Sequence, residues 1–398
     1  MSGFTKDGLH ELDGRLGAMV GPKLPGLVTL VARGSEVHSD AAGNMGLDDA
    51  RPMQRDTIFR VASVSKPIGA ATLMTLVDEG KLRLDDAVDH WLPELANRRV
   101  LRTMESALDD TVPAKRAITA RDLLSFTFGF GVILQPPGKL PIQRRRDELG
   151  LPDGPPQPDK MPAPDEYMRR FAELPLLAQP GDRWLYNNGM DIAGVLAARV
   201  AGESLDVLMR KRVFEPLGMK DTGFSVAAEK IERLATSYTT DANSGALSLY
   251  DPARGGQWSH APKFPSAAGG LVSTAHDLLA FGEMLLGGGE RGGKRVLSSG
   301  SVKEMLTDQL TAEQKAKTEW FGWFDTHGWG LGLSMVTNEG EAGEPIGKAG
   351  WDGGMGTSFA IDTRRGLVGV LLTQQMWTSP EPPQVRRVFW EQTYRALA

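Results

Sequence analysis

Phe59-Arg60-Val61-Ala62-Ser63-Val64-Ser65-Lys66-Pro67 is where an extended run meets a helix. Residues 68–79, which follow, mix helix formers with β-branched apolar side chains, and Gly80 supplies a C′ stop. Pro67 fits only in the first helical turn, where its missing N–H costs little. Ser63 therefore falls at or next to the N-cap. Ser63 and Lys66 stand three apart on one helical face, within touching distance, and the serine lies at the positive end of the helix dipole. A serine hydroxyl is a weak nucleophile near neutral pH unless a base takes its proton. A lysine serves as that base only when a desolvated site or neighbouring positive charge lowers its pKa. A plain N-cap serine satisfies the same four residues, so the decision rests on what else the chain carries.

Working outward, residues 4–19 have amphipathic helical spacing, with Leu9, Leu12, Leu16 and Met19 on one face. Residues 27–33 read as a short apolar strand, turned at Gly34-Ser35-Glu36 into a partner over 37–42. Residues 81–88 form a turn into a short helix around 88–92. From about Asn97, helical pieces at 119–126, 164–174 and 190–201 alternate with long loops. Eight prolines fall between Gln135 and Pro164, the mark of a functional loop, and Arg144-Arg145-Arg146 inside it reads as a solvated face. After about Ser248 strands return. Residues 268–273 are a glycine-rich turn into a strand, and 274–286 a helix capped by Thr274. Residues 329–336, 353–362 and 367–374 are β-like, and 383–397 a closing helix. Strands at both ends with helices between predict an α+β fold, an antiparallel sheet with terminal helices packed on it and a helical insertion.

Composition narrows the function. A net charge of −5 without a basic block argues against nucleic acid as a partner. Cysteine is absent, which excludes disulfides, thiolate nucleophiles and cysteine-ligated metals. The six histidines show no metal-ligand spacing, and no metal or other cofactor is expected. No stretch approaches the roughly 18 apolar residues of a membrane span. The N-terminus lacks a signal peptide's apolar core, so a cytoplasmic location is expected. Gly-x-Ser-x-Gly, a Walker A loop and His-Glu-x-x-His are all missing.

Two further stretches bear on Ser63. In Tyr186-Asn187-Asn188 a tyrosine near a lysine cation is able to become a phenolate and act as base or acid, and the amide is placed to orient the lysine or a substrate. A buried Tyr beside a turn Asn is the bland reading. In Gly350-Trp351-Asp352-Gly353-Gly354-Met355-Gly356, glycines mark close approach of backbone to a ligand, and an exposed N–H there completes an oxyanion hole with that of Ser63.

Taken together, the order Ser63-x-x-Lys66, Tyr186-x-Asn188 and the glycine-rich segment after Trp351 resembles the serine hydrolases of the class C β-lactamase and penicillin-binding-protein superfamily, in particular its esterase branch, the family VIII carboxylesterases. Asp122-Leu123-Leu124-Ser125, Phe214-Glu215-Pro216-Leu217-Gly218-Met219 and Ala268-Gly269-Gly270-Leu271 fit the same pattern. The resemblance implies a β-lactamase/transpeptidase-like fold: an α/β domain from residues 1–90 and 248–398, a mostly helical domain over 91–247, and the active site in the cleft between them. It implies Ser63 as acylated nucleophile, Lys66 and Tyr186 as base and acid, Asn188 as support, and oxyanion N–H groups from Ser63 and Gly354. Trp351-Asp352-Gly353 stands where β-lactamases have Lys-Thr-Gly. Trp351 removes a cation that holds a substrate carboxylate, and Asp352 adds negative charge, so an apolar ester suits the site better than an anionic β-lactam. Lys348 is three residues away and faces the other side of the strand.

The expected activity is a serine carboxylesterase on a small-molecule ester, with no nucleic-acid or membrane partner. The same site also suits a β-lactamase, a D-amino-acid peptidase or amide hydrolase, an acyltransferase, or a non-catalytic penicillin-binding-like module. The proline-rich segment and Trp320, Phe321, Trp323 and Phe324 are expected to shape the entrance. Substrate identity and oligomeric state are not readable.

Overall fold

In the computed structural model, the described residues are 3–151, 154–241, 243–318, 320, 322–339 and 344–398. Phe321, expected at the entrance, and Pro152 of the proline-rich segment lie outside them. The expected hairpin forms: β1 (Gly26–Arg33) turns at Gly34, whose φ of +61° needs no Cβ, into β2 (Glu36–Gly43). Far along the chain come β3 (His327–Trp329), β4 (Ser334–Val336), β5 (Lys348–Gly353), β6 (Thr357–Asp362) and β7 (Leu367–Thr373). β7 pairs antiparallel with β1, Leu27 opposite Thr373, and closes a seven-stranded sheet in the order β3-β4-β5-β6-β7-β1-β2.

The sheet is covered on both sides, and strand periodicity decides which residue goes where. Leu27 and Val31 of β1, Ala360 of β6 and Leu367 and Leu371 of β7 face α1 (Lys6–Gly17) and the C-terminal helix, meeting Leu12, Leu16, Phe389 and Trp390. Their neighbours Val28, Leu30, Phe359, Ile361, Val368 and Val370 face the main core. That core includes α2 (Ser65–Asp78) and the helix Ala275–Leu286, capped by Thr274 as expected. Gly282 lets the latter helix sit close, since a Cβ there would lie 2.7 Å from Val368.

Ser63 lies next to the N-cap, as expected: Val64 is the N-cap of α2, which starts at Ser65, and Ser63 sits in a 3-10 turn, Ala62–Val64. Ala62, with a φ of +43°, bends the chain before the helix. Three other expectations need correcting. Residues 329–336 are two short strands with a turn between them, where Gly332 has a φ of +78°. The glycines after Trp351 do not form a strand interior: Gly353 ends β5, and Gly354 and Gly356 make the β5–β6 turn. The proline-rich loop carries a helix, Pro141–Glu148, and its Arg146 is buried rather than solvated.

The middle of the chain is mostly helices and loops, with α3 (Asn188–Ala201) against α2. It also holds small hairpins, Arg99–Leu101 with Thr111–Pro113 and Ser237–Thr240 with Leu247–Asp251. The second of these runs across the expected boundary at 247/248 and reaches the main sheet's end, where the Tyr238 N–H donates to the Gln374 carbonyl at 2.9 Å. Among the described residues no helix is long and apolar enough to cross a membrane.

The sheet meets the Ser63 turn at one tight point. The Thr357 hydroxyl donates to the Val61 carbonyl at 2.9 Å, and a Cβ on Gly353 would lie 2.2 Å from that same carbonyl oxygen. Gly353→Ala is expected to push β5 from the turn, lowering stability by about 1–3 kcal/mol. A thermal melt several degrees below wild type, with slowed fluorophosphonate labelling of Ser63, checks this; an unchanged melt would contradict the contact.

Candidate active site

Three chain segments that sequence leaves far apart converge at Ser63. Lys66, in the first turn of α2 and wholly buried, donates from Nζ to Ser63 Oγ at 2.8 Å and to the Ala268 carbonyl at 2.6 Å. Burial disfavours its ammonium form and pulls its pKa down to about 7, against the opposing pull of the Asp191 carboxylate. A lysine in that range exchanges protons near neutrality, as a base for serine requires.

Tyr186 precedes α3 and lies with Nζ of Lys66 4.7 Å from its ring centroid. Its hydroxyl lies near enough to Ser63 for the serine side chain to lower its pKa. Burial pushes its pKa above the ordinary phenol value, Ser63 and Trp351 opposing and nearby Asp352 adding to the rise. The raised pKa favours the phenol over the phenolate, so of the two expected roles, base or acid, the acid is the one this setting favours. Asn187, the residue between, has a φ of +97°, and the turn it makes lets Asn188 open α3 at the cavity wall.

Trp351 projects from β5 to the same place. Its indole donates to the Tyr186 hydroxyl at 2.7 Å, and its ring meets those of Trp329, Tyr186 and Trp323 at 4.8, 5.6 and 5.7 Å. Phe126, Trp184 and Trp320 complete an aromatic collar around Tyr186. Asp352 faces the other way. It accepts from the Ser358 hydroxyl at 2.5 Å and pairs with Arg386 of the C-terminal helix at 2.8 Å. The negative charge it was expected to add is thus matched by Arg386, and both residues still line the edge of the cavity. Lys348 shares that rear face as the odd offset required, bonding Glu344 at 2.6 Å with its Nζ 3.8 Å from the Trp390 ring centroid. Gly354 opens the turn beyond, with nothing within 4 Å of where a Cβ would be.

Ser63, Tyr186, Asn188, Trp351 and Gly354 line one cavity of about 1350 Å³. Its outer walls include Gln135, Pro137 and Pro156 from the proline-rich segment, with Trp320 and Trp323, as expected; Phe324, also expected there, is instead buried behind them. Among the described residues no cluster of three or more His, Asp or Glu could hold a metal.

Asp191 is the residue sequence reading missed. It lies one turn beyond Asn188, buried, and its Oδ1 accepts from the Ser266 hydroxyl at 2.7 Å and from the Ala268 N–H at 3.1 Å. Ala268 is thus held from both sides, by Asp191 at its N–H and by Lys66 at its carbonyl. The available signal was a lone carboxylate in the apolar run Gly189-Met190-Asp191-Ile192-Ala193-Gly194.

Comparison with known proteins is consistent with this geometry. The Beta-lactamase family model matches residues 13–390. Protein Rv1367c of Mycobacterium tuberculosis (strain ATCC 25618 / H37Rv) is 39% identical, over 88% of this chain and 86% of its own. Esterase EstB of Burkholderia gladioli is 31% identical, over 91% of this chain and 88% of its own. Among solved structures, EstCE1, described as a hydrolase with promiscuous acyltransferase activity, superposes with a TM-score of 0.78 at 26% identity, covering 98% of this chain and 99% of its own.

Because Asp191 favours the charged lysine, removing its charge makes Lys66 lose its proton more readily. Asp191→Asn keeps an acceptor for Ser266 and Ala268, so the pH at which Ser63 becomes reactive toward a fluorophosphonate is expected to move below that of wild type. A labelling profile that moves upward, or not at all, would contradict this coupling.

Proposed function

The chain belongs to the beta-lactamase family, and from that premise we propose that it is a serine carboxylesterase working through an acyl-enzyme on Ser63. The observation that carries this reading is the 2.8 Å bond between Ser63 Oγ and a fully buried Lys66 whose pKa sits near 7. With Lys66 neutral, the Ser63 hydroxyl donates its proton to Nζ while a lysine N–H stays on the Ala268 carbonyl. Oγ attacks the ester carbonyl and Lys66 takes the proton. The N–H groups of Ser63 and Gly354 hold the oxyanion. Tyr186, carrying a proton and lining the same cavity as Ser63, hands it to the leaving alcohol and is refilled from Lys66. Water then attacks the acyl-enzyme by the reverse path.

The preference for esters rests on β5. A β-lactam or peptide substrate brings a carboxylate. The position that would meet it is Trp351, while Lys348 is buried on the far side against Glu344 and Trp390. An apolar acyl or alcohol group fits the aromatic collar without leaving a charge unmatched. The name of Esterase EstB supports ester chemistry in a relative of similar length, and EstCE1, described as a hydrolase with promiscuous acyltransferase activity, supports acyl transfer.

Ser63→Ala is expected to lower kcat for p-nitrophenyl butyrate by on the order of 10³ or more; a near wild-type rate would remove the mechanism. Turnover of the same ester against nitrocefin and a D-alanyl amide decides the substrate class, and efficient nitrocefin cleavage with weak esterase activity would reverse it. Since only neutral Lys66 acts as base, kcat/KM is expected to rise with pH through about 7 and then level. A rate that falls across that range would contradict the assignment.

A further inference from the structure

Trp351 was expected as an apolar wall, but its indole N–H has a defined partner. It donates to the Tyr186 hydroxyl at 2.7 Å, Ser63 lies beside that hydroxyl, and Lys66 bonds Ser63 at 2.8 Å. A phenol carries one proton. With its oxygen already accepting from the indole, Tyr186 has its O–H left to donate into the site. Lys66 donates to Ser63 and to the Ala268 carbonyl, 2.6 Å away, and once neutral it is able to accept the serine proton. Hydrogen bonds joined in this way polarise one another. The indole is held firmly in this orientation. Phe359 pairs with its backbone, Trp329 and Trp323 box its ring, and Arg386 and Ser358 tether the next residue from behind.

Resting on the ester-hydrolase reading, we propose that Trp351 is a positioning residue for proton delivery. Its indole N–H sets the Tyr186 hydroxyl and stabilises that oxygen while the proton passes to the leaving alcohol. As the tetrahedral intermediate collapses, the bond between acyl carbon and alcohol oxygen breaks. The Tyr186 O–H bond breaks and an O–H bond forms on the alcohol. The proton that Lys66 took from Ser63 then moves to Tyr186, restoring phenol and free amine. A neutral donor suits a neutral phenol here. A cation in the same place would favour phenolate and spend the proton in advance.

The test varies the leaving group at constant acyl group. p-Nitrophenolate departs without a proton, whereas ethoxide requires one. In Trp351→Phe, which keeps an aromatic ring and loses the N–H, kcat/KM for ethyl butyrate is expected to fall on the order of tenfold to a hundredfold, and for p-nitrophenyl butyrate by less than about threefold. Tyr186→Phe should show the same selectivity, and the double variant should lose little more than Tyr186→Phe alone. The readout is a ratio of two esters in one preparation, so a reduced folded fraction cancels. If Trp351→Phe does not fold, Trp351→His serves, its ring N–H predicting a smaller selective loss than Tyr186→Phe. Equal losses on both esters, or a change confined to KM, would mean that Trp351 is only a wall and would overturn the proposal while leaving the esterase intact. A wild-type protein cleaving neither ester overturns the esterase reading and the proposal with it.

Discussion

The burial of one amine, Lys66 Nζ, is the constraint on which the site depends. An ammonium taken out of water loses several kcal/mol of solvation, and the cheaper outcome is loss of its proton. That outcome needs a dry surround, and the chain supplies one: α2 is buried from Ser65 through Leu76, and Phe126, Trp184, Trp329 and Trp351 close around Tyr186 above it. The amine still needs partners, and it has the Ala268 carbonyl and Ser63. Asp191 moderates the effect, keeping the lysine's pKa from falling further and fixing the segment that carries Ala268.

The reactive geometry is held by strain and by matched charge. Of the four non-glycine residues with positive φ among the described residues, Ala62 and Asn187 adjoin Ser63 and Tyr186, and Phe126 packs its ring on Tyr186. Each such residue costs on the order of 1–3 kcal/mol, which the surrounding core must offset. Behind β5, Glu344 pairs with Lys348 and Arg386, and Arg386 with Asp352. Buried ion pairs of this kind add little net stability and fix one arrangement over others. Here the arrangement they fix turns Trp351 toward Tyr186 and Asp352 away from it.

Much of the fold was legible because period and punctuation agreed. The hairpin of β1 and β2, the Thr274 cap and the terminal helices follow from alternation, a turn glycine and capping chemistry. The misreadings arise where a local rule met a tertiary override. Arg146 sits in a basic, proline-rich stretch and nonetheless lines the cavity, because the stretch folds inward as a helix. Asp191 carried a weak signal, since a single carboxylate in an apolar run does not name its partners.

By itself the sequence determined the reactive pair and its chemistry. Ser63 and Lys66 are three apart at the start of a helix, and that spacing brings them into contact in any fold that keeps the helix. It also determined which face of β5 each side chain takes, because strand alternation leaves no choice once Trp351 points inward. Only the tertiary structure decided protonation and direction. Whether Lys66 is an ammonium or a base, and whether Tyr186 is phenolate or phenol, depends on how much water and how many charges reach them. Those are set by Ala268, Asp191 and Trp351, residues 77 to 202 positions from their partners in the chain, and no local pattern encodes a dielectric.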